Sequence, residues 1–429
     1  MSAGSVRRCL GCMLVFLMLT PGSLARQIEF WTTSHGDGIT AMLVKELLPR
    51  FERETRIAVT HKSVQMNQDD LARVLVGGGP DVLVTWNGTM FTLAGANALV
   101  ELTPYLNRWS GRNSFFPYFV QPISTLSEGR PVLLSQYTLP IEIAPFGIGY
   151  SKNAFSSAGL DPEAAPRGWD ELESIAQKLT LKLSGRTIRQ GFDTMWWHPE
   201  ILATFLQLNG ETGLSSDRRT ARLNTDRAME TFEYLSRLYQ AAYPRVQAEL
   251  SGVTTPPSGS PMRLADGVTA MAFWSPALSL ETRKRSPGTE IGVFAPTRSP
   301  GTEPKAPAYY KLIGMTQSSR DPAAAWELIQ WLMEPQNTVL YHVYTQSLPS
   351  RYDVADTFAQ AVPYMRDWYQ VLQHCGVGAP MGLQGVIQAE RNVFLQGLWG
   401  KSDLTDVIEH VNRRYQASLD EMWSRAGGQ

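Results

Sequence analysis

The feature that most constrains this chain is an alternation of short apolar runs with amphipathic stretches over residues 28–86. Ile28-Glu29-Phe30-Trp31, Ile57-Ala58-Val59-Thr60 and Asp81-Val82-Leu83-Val84 read as buried strands. Between the first two, Met42, Leu43, Leu47, Leu48 and Phe51 recur at helical spacing. A second helix is predicted over 68–75, stopped by Gly77-Gly78-Gly79-Pro80. Strands separated by helices join in parallel, because a parallel neighbour needs a crossover long enough to hold a helix. The expected class is therefore α/β. In open parallel sheets ligands sit beyond the carboxyl ends of the strands, which here are the polar stretches 32–37, 61–67 and 85–88.

A chain of 429 residues is too long for one ordinary core and calls for two lobes. Its net charge of −1 gives no basic surface for nucleic acid and no acidic tail for a basic partner. Twelve Trp need either a rich core or an aromatic-lined cleft. At the start, Arg7 and Arg8 precede an apolar run over 12–20, which is broken by Pro21-Gly22 and followed by Ser23-Leu24-Ala25. That order predicts a signal peptide over 1–25, cleaved after Ala25, and export of the rest. Cys9 and Cys12 leave with it, so Cys375 remains alone and no internal disulfide is expected. No later run approaches membrane-spanning length.

Further along, 139–150 reads as a long extended segment. Helices are predicted from Asp170, through much of 198–243, over 321–334 and over 403–422, with a flexible segment at 251–261. Catalytic signatures are absent. The six His form no HxxxH or HExxH pair, and no GxSxG elbow occurs. Gly77-Gly78-Gly79 lacks the Lys and Ser/Thr of a phosphate loop, and Gly147-Ile148-Gly149 is too short for a dinucleotide fingerprint. Binding is favoured over catalysis, with no metal and no cofactor expected.

Several segments in order resemble the extracellular solute-binding proteins of bacterial ABC importers, in the sugar-binding branch that includes maltose- and glycerol-phosphate-binding proteins. They are IEFWTTSHGDG with LLPRFERETRIAV, LVGGGPDVLVTW, LVELTPYL, GIGYSKNAFSSAGLDPEAAPRGWDELESIAQKLT, LADGVTAMAFWSP, and IGVFAPTRSPG followed by the block from Arg320 to Arg351. GVGAP and the last helix extend the match towards the end of the chain. Three positions depart from the pattern: Ser151 in place of Asn, Tyr309-Tyr310-Lys311 in place of a Gly-rich turn, and Gln346 in place of Gly. The resemblance implies a two-lobed periplasmic binding protein fold of type II character. Lobe one would hold 26–142 and 295–335, and lobe two 148–292 and 336–429. Hinge strands would lie at 143–147 and 293–294. It further implies a monomer that closes on its ligand and delivers it to the importer's membrane permease.

A sugar presents apolar CH faces and dense hydroxyls, so its site needs aromatic platforms and planar polar side chains. The residues expected to serve are His35, Asp37, Gln65, Asn67, Trp86, Glu142, Trp196, Trp274, Tyr309, Tyr310 and Arg351. A mono- or oligosaccharide is the expected ligand, and a glycerol phosphate or polyol is the alternative. A secreted glycoside hydrolase using Asp37 and Glu142 stands as a reading of another class. It would place the two carboxyl groups about 5–10 Å apart. An extracytoplasmic sensor partner would read the same from sequence.

Overall fold

Strand β1 (Arg26–Thr33) pairs in parallel with β2 (Ile57–Val64) on one side and with β3 (Val82–Trp86) on the other. These contacts come from a computed structural model that describes residues 26–33, 43–116, 124–127, 130–133, 136–184, 186–193, 199–242, 264–345, 347–375 and 383–427. A short π-helix at Leu43–Leu47 leads into α1 (Leu48–Thr55), and Arg56 closes that helix at φ 64° by donating its N–H to the Glu52 carbonyl. Helix α2 (Gln68–Leu75) is followed by Gly77 at φ 81°, so the glycine run is a helix stop. Helix α3 (Asn87–Gly95) begins at the residue after β3.

A two-stranded hairpin, β4 (Ser124–Ser127) with β5 (Arg130–Leu133), precedes β6 (Thr138–Pro145). Phe146 alone separates β6 from β7 (Gly147–Ser151), so the extended segment crosses between sheets in one step. Helices α4 (Lys152–Ser157) and α5 (Trp169–Leu179), the hairpin β8 (Leu181–Leu183) with β9 (Arg186–Arg189), and helices α6 (Pro199–Leu208) and α7 (Asp226–Ala242) follow. Strands β10 (Met271–Trp274) and β11 (Ile291–Phe294), with α8 (Pro276–Arg285) between them, flank β7 on either side in antiparallel fashion. The chain returns through 295–307 to β12 (Ala308–Met315), which inserts between β3 and β6, antiparallel to both. After α9 (Pro322–Met333) and α10 (Pro335–Thr345), β13 (Leu348–Pro349) pairs with the outer edge of β6. The first sheet thus has the order β13-β6-β12-β3-β1-β2 and the second β10-β7-β11.

Both faces of the first sheet are covered, which is why its central strands read as continuous apolar runs. Ile28, Phe30, Val82, Val84 and Ile313 pack with Phe51, Leu328 and Leu332, while Trp31, Leu83 and Leu312 pack with Met90 and Leu93. The second lobe is built around Trp169, stacked on Tyr234 at 4.2 Å, and Phe205, Phe232, Phe394 and Tyr415. Among the described residues no helix is long and apolar enough to cross a membrane.

The expected boundary at 335/336 needs correction. Helix α10 and β13 belong with the first sheet: Tyr341 packs in its core and Leu348 pairs with Ile143. Proline, lacking an N–H, is tolerated at that sheet edge. The chain leaves through α11 (Ala355–Ala361) and α12 (Arg366–Leu372). Phe358 and Trp368 of these helices share a cluster with Ile143 of the first sheet and Trp274 of the second. Helices α13 (Leu383–Ala389), α14 (Arg391–Leu398) and α15 (Leu404–Gly427) then contribute Ile387, Phe394 and Tyr415 to the second lobe's core. The predicted leader over 1–25, the segment 251–261 and the GVGAP stretch lie outside the described residues.

Candidate ligand cleft

The register of three neighbouring strands builds the site. Lys311 of β12 is paired with Trp86 of β3 on one side and with Glu142 of β6 on the other. Trp86 ends its strand with 42% of its surface exposed, and Lys311 Nζ lies 4.9 Å from the centroid of its ring. Lys311 and Glu142 themselves are buried, at 3% and 6% exposure. Their charged atoms are 3.4 Å apart, and the Tyr341 hydroxyl donates to Glu142 Oε1 at 2.6 Å. Burial first, and then the carboxylate, hold the Tyr341 phenol far above its usual pKa, so it stays a neutral donor.

Two positions along the same strand, Tyr309 pairs with Ala144 and meets Phe146 edge-to-face at 5.3 Å. Trp86, Ala144, Phe146 and Tyr309, with the first turn of α3 (Asn87, Gly88, Thr89), line a cleft of about 540 Å³. That volume lies within the roughly 300–1,000 Å³ usual for small-molecule sites. Trp86 is the N-cap of α3 and supplies no side-chain acceptor. The first N–H groups of that helix are therefore left for another acceptor. A Cβ placed on Gly88 would meet nothing within 4 Å, so the space beside the turn is open. The arrangement combines aromatic faces with backbone and amide donors at the carboxyl end of a parallel strand, beside the residue where the chain crosses between sheets. It suits a ligand with apolar faces and many acceptor oxygens.

The other expected residues fall elsewhere. Gln65 is exposed after β2. Asn67 is the N-cap of α2, its side chain accepting from Asp70 N–H at 2.9 Å, so its role is local. Tyr310 points away from Tyr309 into the core and hydrogen-bonds Asn87, and burial raises its phenol pKa. It supports a cleft residue instead of lining the cleft. Trp274 is 1% exposed, packed against Gly149, with an indole N–H that has no acceptor among the described residues. Arg351 is buried, and its fork is taken by Asp353 and by the Met333 carbonyl at 2.7 Å, with its guanidinium 6.0 Å from Trp109 and 5.8 Å from Phe115. His35, Asp37, Trp196 and Gln346 lie outside the described residues.

Asn87, Phe146 and Lys311 were not among the expected residues. Each had a signal. Asn87-Gly88 directly follows a strand end, Phe146 sits between Pro145 and Gly147 in the extended segment, and Lys311 is a charge inside an otherwise apolar strand.

The model of the bacterial extracellular solute-binding protein family matches residues 32–339, well over half of the chain. The chain belongs to this family, whose members are binding proteins that act outside the cytoplasm. Among curated relatives, the sn-glycerol-3-phosphate-binding periplasmic protein of Pectobacterium atrosepticum is 25% identical over 201 residues, 45% of this chain and 43% of that protein. The chain thus aligns with less than half the length of that relative. Among solved structures, the sugar-binding protein MalE from Xanthomonas citri superposes with a TM-score of 0.76 at 19% identity, covering 92% of this chain and 98% of that one. The cyclic alpha-maltosyl-1,6-maltose binding protein from Arthrobacter globiformis does so at 0.74, with 19% identity, covering 92% and 99%. These superpositions establish the two-lobed periplasmic binding protein fold.

Proposed function

We propose that this chain is the periplasmic substrate-binding component of an ABC importer. It binds a mono- or oligosaccharide reversibly between its lobes and delivers it, unaltered, to the membrane permease. The observation that carries this reading is the cleft formed by Trp86, Tyr309 and Phe146 beside the crossing strand. Hinge closure would bring the second lobe over those rings. The names of the sugar-binding structural neighbours support the ligand class. Export would follow removal of the leader after Ala25. The buried Glu142 supports binding over hydrolysis, since its carboxylate already bonds Tyr341 and faces Lys311.

A glycerol phosphate is the second reading, favoured by the uncapped first turn of α3 at the cleft and by the Pectobacterium relative. A thermal-shift panel on residues 26–429, covering sugars, polyols and glycerol phosphates, tests both. A ligand at about 100 times its Kd adds roughly 2.7 kcal/mol of stability. A shift by a carbohydrate supports the first reading, and a shift by glycerol phosphate alone that is lost in Trp86→Ala, and so arises in the cleft, replaces it with the second.

A further inference from the structure

A second pocket, of about 360 Å³, lies in the second lobe where β7 and β9 end and β11 begins. It is set off from the cleft. The pocket is lined by Ser151, the last residue of β7, whereas the crossing residue Phe146 adjoins the first, about 13 Å away at the strand rise. Its charged member is Arg189, which ends β9. Arg189 Nε donates to the Leu179 carbonyl at 3.0 Å, at the end of α5. A guanidinium has five N–H groups in a fixed fork, so four remain. No carboxylate among the described residues pairs with them, and no acidic side chain lines the pocket. Burial without a compensating anion also lowers the Arg189 pKa.

The remaining lining supplies neutral donors. The Asn153 amide is exposed to the pocket. Ser151 Oγ accepts from Ala154 N–H, which leaves its own O–H to donate. Thr289, at the entry to β11, adds another hydroxyl. Together with the four free N–H groups of Arg189, this set of donors exceeds what the two oxygens of a carboxylate use. A phosphoryl group has three oxygens for it, and the volume leaves room for an attached organic group.

We propose that this pocket binds the phosphoryl group of a small phosphate monoester, with Arg189 as its charged anchor and Asn153, Ser151 and Thr289 as neutral donors. The site is independent of the carbohydrate cleft, so an occupant there would link the binding protein's stability to a phosphorylated metabolite.

The test is titration of residues 26–429 with inorganic phosphate and with glucose 6-phosphate at fixed ionic strength against chloride. Thermal shift and ³¹P line broadening are the readouts. The expected result is saturable binding, tighter for the ester, retained in Trp86→Ala and weakened about tenfold or more in Arg189→Gln. Asn153→Ala, at an exposed position, keeps the fold and weakens binding several-fold. Equal affinity for inorganic phosphate and the ester would overturn the metabolite assignment. No saturable response overturns the site, and so does affinity unchanged in Arg189→Gln or, should that variant not fold, in Asn153→Ala. Loss in Trp86→Ala would place the ligand in the cleft and overturn this site as well.

Discussion

Lys311 Nζ and Glu142 Oε2 face each other at 3.4 Å beneath the exposed ring of Trp86, with both charged side chains buried. The pairing follows from β12 inserting between β3 and β6, which sets Lys311 opposite both residues. A buried pair is weak evidence of net stabilisation, but removing one member leaves an uncompensated charge. Lys311→Met and Glu142→Gln should therefore each destabilise by about 3–5 kcal/mol. The double variant should cost clearly less than the sum. Urea unfolding of the three variants measures this, and strict additivity would mean that the two groups do not interact.

Trp86 and Trp274 separate by burial. Trp86→Ala removes a half-exposed ring that lines the cleft, so its melting temperature should change little while ligand affinity falls about tenfold or more. Trp274→Ala empties a site that is 1% exposed and should cost about 3–5 kcal/mol. Calorimetric titration paired with thermal unfolding checks both. Binding lost in Trp274→Ala at unchanged stability would place that indole at the ligand.

The second sheet depends on glycines for close approach. A Cβ on Gly149 would come within 2.6 Å of Trp274 Cβ, and one on Gly292 within 2.3 Å of the Tyr150 ring. Gly149→Ala and Gly292→Ala should each lose about 1–3 kcal/mol or more through overpacking. Gly288→Ala, where nothing lies within 4 Å, should be nearly neutral. Thermal unfolding of the three variants shows whether the loss follows this order.

Acid should loosen the start of the first strand. Arg26 holds the Asp321 carboxyl down at about 2, and the Ala324 N–H adds to the effect. The folded pKa is depressed, so this contribution is present above the unfolded value of about 3.9 and is lost as pH falls towards 2. Asp321→Asn should flatten the fall in stability between about pH 4 and pH 2, by a modest amount because both partners are partly exposed. Urea midpoints across that range check it. An unchanged slope would remove the pair from the acid response.

The legible parts of the fold were those written in local pattern. β1 to β3 could be read because both faces of the sheet are covered, whereas Pro145 and Gly147 marked only an extended segment and its crossing between lobes came from the family resemblance. The insertion of β12 between β3 and β6 was not readable. It joins residues more than 160 positions apart, and no local period encodes it. The same long-range pairing buries Lys311, which looks like a surface charge in sequence. Arg351 resembled a ligand contact by its place after Leu-Pro, but its partner Asp353 is two residues away. The Gly147-Ile148-Gly149 motif fits no nucleotide site; Gly149 is required by the indole beside it and Gly147 by the Phe294 backbone.

The central claim is that the cleft holds a carbohydrate and returns it intact. Calorimetric titration of residues 26–429 with the carbohydrate that raises the melting temperature most, followed by mass analysis of the recovered ligand, tests it directly. The account predicts one site per chain and a ligand of unchanged mass. Shortened or hydrolysed product, or no saturable heat with any carbohydrate, would contradict it.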